Sequence, residues 1–309
     1  MSDLILHHYP ASPFSEKIRL VLGYKQLAWR SVRVPPVLPK PDLLALTGGY
    51  RRTPVLQIGA DIYCDTALIC DVLEHRQPVP SLYPPQHKGL ARILAQWADT
   101  TLFQAAMAHA LQPAGLADLF GKLPPGAAEA FVQDRRAMGA GQPQLRPADA
   151  AAALKSYLRR LSESLESQAC LVDATPGLAD FAAYHPLWFC RTRTPSMAGV
   201  LDAFPSVRGW LDRMAAIGHG RPDALDSRDA IAIAAAAEPL PVDGQTFQDE
   251  HGIPLGSRVT VAAESFGREA TEGELVAATR MHYTLRRQSA SAGTVHVHFP
   301  RIGYVLQAA

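Results

Sequence analysis

Cysteine is scarce in this 309-residue chain: Cys64, Cys70, Cys170 and Cys190 form neither a Cys-x-x-Cys pair nor a dense framework. That excludes a disulfide-stapled scaffold and suits free thiols in a reducing compartment, so the cytoplasm is the expected location. Net charge is almost missing as well. With 30 basic and 29 acidic residues the chain carries +1, and no overall field draws it to nucleic acid or an anionic membrane. Any partner must be met at a local site. Long apolar runs are also absent. Asp3 and only three successive apolar residues precede His7 and His8, which makes no secretory signal. The longest run, Ala230 to Ala237, is far too short to span a bilayer. What the chain has is core-forming material: 48% hydrophobic residues predict an ordinary globular protein of two or three packed units.

From residue 4 to 76 short apolar runs alternate with helical periods, as α/β layers do. The runs Leu4 to Tyr9, Trp29 to Val34, Val55 to Ile58 and Asp61 to Tyr63 predict strands. Helices are predicted over Phe14 to Tyr24, Pro41 to Leu46 and Thr66 to Arg76. Gly59-Ala60 is tight enough to make the last two strands an antiparallel hairpin, giving the order βαβαββα. Pro78, Pro80, Pro84 and Pro85 then mark a linker. Beyond residue 86 the period becomes 3.6, with Leu90, Ile93, Leu94 and Trp97 on one face and Leu154, Tyr157, Leu158, Leu161 and Leu165 on another. Phe181, His185, Trp188 and Phe189 continue it, then Val207, Trp210, Leu211, Met214 and Ile217. Residues 112–148, rich in Gly, Pro and Ala, hold one predicted helix, Ala127 to Met138, and otherwise read as an insertion or mobile loop. Past Pro239-Leu240-Pro241 the period changes to 2, with strands predicted over Arg258 to Val261, Gly273 to Ala277, Met281 to Arg286, Thr294 to Phe299 and Tyr304 to Leu306. Three units are expected: 1–80, α/β; 86–237, all-helical; and 240–309, a small β-rich sheet or barrel.

The chemistry begins at Tyr9-Pro10-Ala11-Ser12-Pro13-Phe14-Ser15, where a strand turns sharply into a helix. Ser12 caps that helix through its hydroxyl, and Pro13 takes the first helical position, where a missing N–H costs nothing. A helix start aimed out of a sheet is a positive end that holds a phosphate, a carboxylate or a thiolate. Two more pieces lie in the same unit. Arg52-Thr53-Pro54-Val55 puts a proline ahead of a strand, and Tyr63-Cys64-Asp65-Thr66 opens a helix with an acid and a hydroxyl. Each alone is ordinary capping or turn chemistry.

Together, in βαβαββα order ahead of a helical unit, the three pieces resemble the glutathione-binding half of the cytosolic glutathione S-transferases. Ala11-Ser12-Pro13-Phe14-Ser15 with Ile18-Arg19 is most similar to the serine and cysteine classes, tau, zeta and omega. The resemblance covers residues 4 to about 220 and includes Pro176-Gly177-Leu178-Ala179-Asp180, similar to the family's capping segment, with Gly177 where Ser or Thr is usual. It implies a thioredoxin-like first domain, a helical second domain and a homodimer. It further implies that Ser12 is the catalytic residue and that Thr53, before a cis Pro54, pairs its backbone with the cysteine of glutathione. Asp65 and Thr66 would hold the γ-glutamyl group, where Glu-Ser is commoner. Phe14, Arg52 and Lys40, the last facing the glycyl carboxylate, complete the implied glutathione-binding set. The physical reading agrees. A free thiol titrates near pKa ~8.5, so little thiolate exists at neutral pH. Helix-end interactions of about 0.3–2 kcal/mol each, against ~1.4 kcal/mol per pKa unit, let two or three donors around Ser12 make the thiolate dominant.

The expected function is therefore a detoxifying transferase that activates glutathione as co-substrate and conjugates it to a small electrophile between the first two units, with no metal, nucleic acid or membrane. The alternative is a non-catalytic member of the same fold that binds a ligand or protein. Thiol–disulfide exchange is disfavoured because Ser12 stands where a cysteine would form the mixed disulfide. Tyr9 is a weaker choice of thiol activator, since it lies three residues before Ser12 at the strand end. Arg51 and Arg52, like Lys40, could meet the glycyl carboxylate, though bases flanking a loop usually read as solvated. Cys64 and Cys70 read as core, and His296 and His298 as solvent-facing positions opposite Val295, Val297 and Phe299, without a third metal ligand. Phe14, Met107 and His109 are candidates for the electrophile pocket. Residues 240–309 carry six arginines and no lysine against seven acids, a net of −1. That charge does not suit a nucleic-acid groove, and Arg286, Arg287 and Arg301 are too few to reverse it. The tail reads as a packing or protein-contact module.

Overall fold

The first apolar run forms β1 (Ile5–His8), and Ser12 caps α1 (Pro13–Tyr24). This is a computed structural model, and it describes residues 2–242, 246–248 and 250–309; residues 243–245, at the head of the expected β-rich unit, lie outside the described residues. Next come β2 (Ala28–Arg33), α2 (Pro41–Thr47), β3 (Val55–Ile58), β4 (Asp61–Cys64) and α3 (Thr66–Arg76), in the βαβαββα order of a thioredoxin-like domain. β1 runs parallel to β2 and antiparallel to β3, and Gly59, at φ 60°, turns β3 into antiparallel β4.

The helical unit consists of α4 (Lys88–Trp97), α5 (Phe103–Ala110), α6 (Pro113–Phe120), α7 (Ala127–Met138), α8 (Pro147–Leu165), α9 (Leu178–Trp188) and α10 (Pro205–Ala215). A π-helical turn, Ala98–Leu102, joins α4 to α5. The α8, α9 and α10 residues become its core as read, Leu154, Leu158 and Leu161 burying with Phe181, Tyr184, Trp210 and Leu211, but α4 turns Ala91 and Ala95 inward and leaves Leu90 and Ile93 exposed, against the face expected for it. α6 replaces part of the expected loop, because eight residues that begin at Pro113 and include Gly115 carry little readable periodicity. Gly177 has no hydroxyl to cap α9. Asp180 supplies the other half of the cap, accepting from the N–H of Gly177 (3.0 Å), the N–H of Leu171 (2.9 Å) and Nε1 of Trp210 (3.0 Å).

After α10 the chain returns to the sheet. β5 (Arg221–Ala224) pairs in parallel with β2, inside a stretch whose sequence pattern predicts only helix. All four of its residues are exposed and one is proline, so no alternation announces it. α11 (Ser227–Ala235) then lays Ala230 against Ile5 and Val32.

The tail forms β6 (Arg258–Ala263), β7 (Thr271–Ala278), β8 (His282–Ser289), β9 (Gly293–Pro300) and β10 (Tyr304–Ala308). β9 runs parallel to β4, with Asp61 opposite His296, Ile62 opposite Val297 and Tyr63 opposite His298. One ten-stranded sheet results, in the order β10-β6-β7-β8-β9-β4-β3-β1-β2-β5. Leu43, Leu46, Tyr50, Val55, Ile62 and Cys64 of the first unit share a core with Val259, Leu275, Leu285, Val297 and Phe299 of the tail.

This junction corrects the solvent-facing assignment of His296 and His298. Both are buried, because β9 is flanked by β8 and β4 and Tyr63 stacks on His298 at 4.4 Å between ring centroids. His298 Nε2 pairs with Asp61 Oδ1 at 2.9 Å and its Nδ1 with Thr284 Oγ1 at 3.0 Å. Among the described residues, no group of three His, Cys, Asp or Glu is placed to hold a metal ion. Nor is any of their helices long and apolar enough to cross a membrane.

Candidate functional site

At the end of β1 the Ser15 N–H donates to Ser12 Oγ at 3.1 Å, and Ser12 is almost fully buried at 2% exposure. Accepting that bond uses a lone pair and leaves the hydroxyl proton free to donate elsewhere. Arg19, one turn further along α1, locks the preceding loop: its Nη1 reaches Tyr9 O (3.3 Å) and its Nη2 reaches Pro10 O (3.0 Å), while Glu16 Oε2 pairs with it at 2.6 Å. A strand end that would otherwise fray is thereby tied to its own helix.

Thr53–Pro54 is a cis peptide bond at the head of β3. Asp65 opens α3 at φ 75°, with Oδ1 accepting from the Ala67 N–H at 2.9 Å. Thr66 is buried, and its Oγ1 accepts from Lys17 Nζ at 3.1 Å. Lys17 also meets Asp99 Oδ2 at 2.5 Å, and Asp99 Oδ1 pairs with His185 Nε2 at 2.9 Å. Burial acts to lower the Lys17 pKa, yet Asp99 with Cys70 and Asp65 together outweigh it and raise the value; burial likewise opposes the ionised Asp99, and Lys17 and His185 together pull its pKa down. The Phe14 ring packs at a tilt against Phe103 (4.7 Å) and His185 (4.5 Å), so the residue after the capping pair is wedged against the helical unit.

The implied basic residues are differently engaged. Lys40 is buried and donates to Arg51 O at 3.0 Å; burial, reinforced by Arg135 and opposed by Asp134, pushes its pKa down to about 8. Arg52 donates to Phe266 O, in the loop between β6 and β7, and lies 5.9 Å from the Tyr304 ring. Arg51 is buried as well, against expectation, because it bridges Asp134 of α7 and Glu269 of the same tail loop, each at 2.6 Å. Arg135, also on α7, donates to Tyr9 Oη (3.3 Å) and Pro36 O (2.9 Å). α7 therefore spans from the Ser12 turn to Arg51, and the tail loop locks onto its C-terminal end, where the Gly267 N–H donates to Met138 O at 2.8 Å. Gly267 sits at φ 62°, and a Cβ there would come 2.7 Å from Met138 Cε.

Cys64 and Cys70 lie in the core; burial pushes the Cys64 thiol pKa well up and that of Cys70 to about 12. His109 bonds Met197 O within the helical unit. Lys17 and Asp99 went unread in the sequence as site residues, and His185 was read there only as part of a helical period. Their signal was present, as charged or polar residues set among apolar neighbours: Lys17 before Ile18, Asp99 after Trp97-Ala98, and His185 after Tyr184.

A capped helix start and a cis proline on a thioredoxin-like sheet, backed by an all-helical unit, define the glutathione-transferase class of fold. The chain belongs to the glutathione S-transferase family, whose N-terminal domain matches residues 6–81 and whose C-terminal domain matches residues 127–217. It is similar to a GST-like protein from Pseudomonas syringae, 42% identical over 100% of both chains with a TM-score of 0.84, so that likeness takes in the β-rich extension. FtsZ-localized protein A from Caulobacter vibrioides is 24% identical over 184 residues, 58% of this chain and 73% of that protein. Pyrimidodiazepine synthase from Drosophila melanogaster is 30% identical over 76 residues, and the matched part of this chain spans only 31% of that protein.

Proposed function

We propose that the protein binds glutathione across the Ser12 turn, the Thr53 backbone and Asp65-Thr66, holds its sulfur as thiolate, and transfers it to a small electrophile. The observation that carries this reading is the Ser12 hydroxyl, which accepts from the Ser15 N–H and keeps its own proton for an anion at the positive end of α1. The thiol proton leaves to solvent; the thiolate attacks an electrophilic carbon, a C–S bond forms, and the displaced group departs with its electron pair. Phe14, Lys40 and Arg52 are the supporting residues of this reading. A homodimer acting in detoxification in the cytoplasm belongs to it, supported by family membership and by four buried free thiols.

Calorimetric titration of glutathione, followed by thiolate absorbance of the complex against pH, tests it. Native protein is expected to bind and to hold the thiol below its free pKa of ~8.5, with Ser12→Ala raising it by about one unit. No measurable binding overturns the reading. A second reading, a ligand- or protein-binding member without turnover, is favoured by the way α7 closes over Tyr9 and Pro36 through Arg135. The relative named for its localisation with FtsZ also supports it. Binding of glutathione without conjugation of any electrophile in a broad panel would decide for it.

A further inference from the structure

We propose that Tyr304, on the last strand of the tail, is a positioning residue that aims the Asp65 carboxylate at the γ-glutamyl ammonium of glutathione; this rests on the glutathione reading above. β10 lies five places along the sheet from β4, at the far edge. Its Tyr304 hydroxyl nevertheless lies 3.0 Å from Asp65 Oδ2, so the tail curls back over the first unit. Tyr304 is buried and packs against Tyr50 and Phe299. Tyr50 Oη lies 3.4 Å from Tyr304 Oη. A phenol has one proton to give, and the charged oxygen at 3.0 Å is the stronger and nearer acceptor, which leaves the Tyr50 hydroxyl to donate into Tyr304.

Among the described residues the other hydrogen bond to Asp65 is its cap, and Arg52 and Lys17 act on it at longer range. Oδ1 accepts from the Ala67 N–H, Oδ2 from Tyr304, and each oxygen keeps a lone pair for a further donor. The residue stays half-buried, within reach of a ligand, and its φ of 75° is rare for a side chain with a Cβ. Two donors from separate parts of the chain thus fix a carboxylate that faces a cation. Without the tyrosine the carboxylate would rotate about its last torsion, and the site would give up part of its preorganisation. The tail then has a role in binding at a point it does not itself contact.

The test compares glutathione with cysteinylglycine, which lacks the γ-glutamyl group, by calorimetry on full-length protein. Tyr304→Phe is expected to weaken glutathione about five- to tenfold, to leave cysteinylglycine and the pKa of the bound thiol unchanged, and to add nothing in an Asp65→Asn background. Tyr50→Phe, which removes the donor behind Tyr304, is expected to give a smaller loss for glutathione alone. Melting curves report whether each variant is folded. Equal loss for both probes, full additivity with Asp65→Asn, or no selective loss in either tyrosine variant overturns the positioning role. Failure of native protein to bind glutathione overturns the underlying reading and this role with it, whereas native binding that Tyr304→Phe and Tyr50→Phe leave intact overturns the role alone.

Discussion

Lys17 Nζ and Asp99 Oδ2 lie 2.5 Å apart, and the lysine side chain is wholly buried. The pair joins α1 of the thioredoxin-like domain to the π-helical turn after α4. Through Thr66 and His185 it also links the two helix starts of the candidate site to α9. A buried ion pair adds little net stability over an apolar replacement, but losing one partner strands the other. Asp99→Asn is expected to destabilise the protein by about 3 kcal/mol, since the buried ammonium loses the countercharge beside it and the one amide oxygen cannot accept as two carboxylate oxygens do from Lys17 and His185. Denaturant unfolding measures it, and a change well below about 1 kcal/mol, the worth of a surface pair, would show that the ammonium finds other partners.

Stability should fall with acidity through the histidines of β1. His7 is pushed down to about 4 by burial, against the pull of Gln57 and Asp42, and His8 to about 3 by burial reinforced by Arg19 and Arg33. Gln57 Nε2 already donates to Gly59 O and Ala230 O, so Gln57 Oε1 accepts from His7 Nε2–H and fixes that tautomer. Unfolded, both rings titrate from 6.5; between there and about 4 the unfolded chain binds protons that the folded chain refuses. The contribution is complete above 6.5 and declines as pH drops through that window, by about 3 kcal/mol for His7. The melting temperature is expected to fall between about pH 7 and pH 5, and His7→Gln, which does not titrate, to flatten the slope.

These two networks also mark what the sequence made legible. Val55–Ile58, Thr66–Arg76 and Ala127–Met138 could be read to the residue, because each is bounded by its own turn or cap signal and carries a local period. The five tail strands declared themselves by alternation for the same reason. Partners were not legible. Nothing local to Arg221–Ala224 announces a strand that is made by pairing with β2. Nor does an alternating β9 reveal that both its faces are covered once it lies between β8 and β4. Ser12, Thr53-Pro54 and Asp65-Thr66 are sequence-local features and could be named. The position of α7 beside Tyr9 and Arg51 depends on contacts across more than 80 residues and could not.

Replacing Ser12 by cysteine tests the chemistry of the turn. A thiol at the N-cap of α1 would be stabilised as thiolate by the same helix end that the Ser12 hydroxyl now caps. Offered oxidised glutathione, the introduced thiolate attacks one sulfur, the S–S bond breaks, and glutathione thiolate leaves as the mixed disulfide forms. Ser12→Cys is expected to gain this adduct, seen by mass spectrometry and reversed by reductant, while native protein forms none. Absence of the adduct in a folded variant would mean that glutathione does not lie beside position 12.

The continuous sheet makes the tail indispensable to the first domain. A chain ending at Pro239 would lose β6–β10 and leave the edge of β4 unpaired from Asp61 to Tyr63. It would also uncover Leu43, Leu46, Tyr50, Val55 and Ile62, which now share their core with the tail. At about 1.5–3 kcal/mol for each large side chain returned to water, the loss is comparable to the whole stability of an ordinary domain. An apolar face beside an open edge is also a template for association. The shortened chain is expected to aggregate or to bind a hydrophobic dye strongly, where the full-length protein does neither. If the tail were a free-standing module, the same truncation would leave a soluble monomer or dimer with a sharp melting transition, and size-exclusion chromatography with dye fluorescence separates the two outcomes.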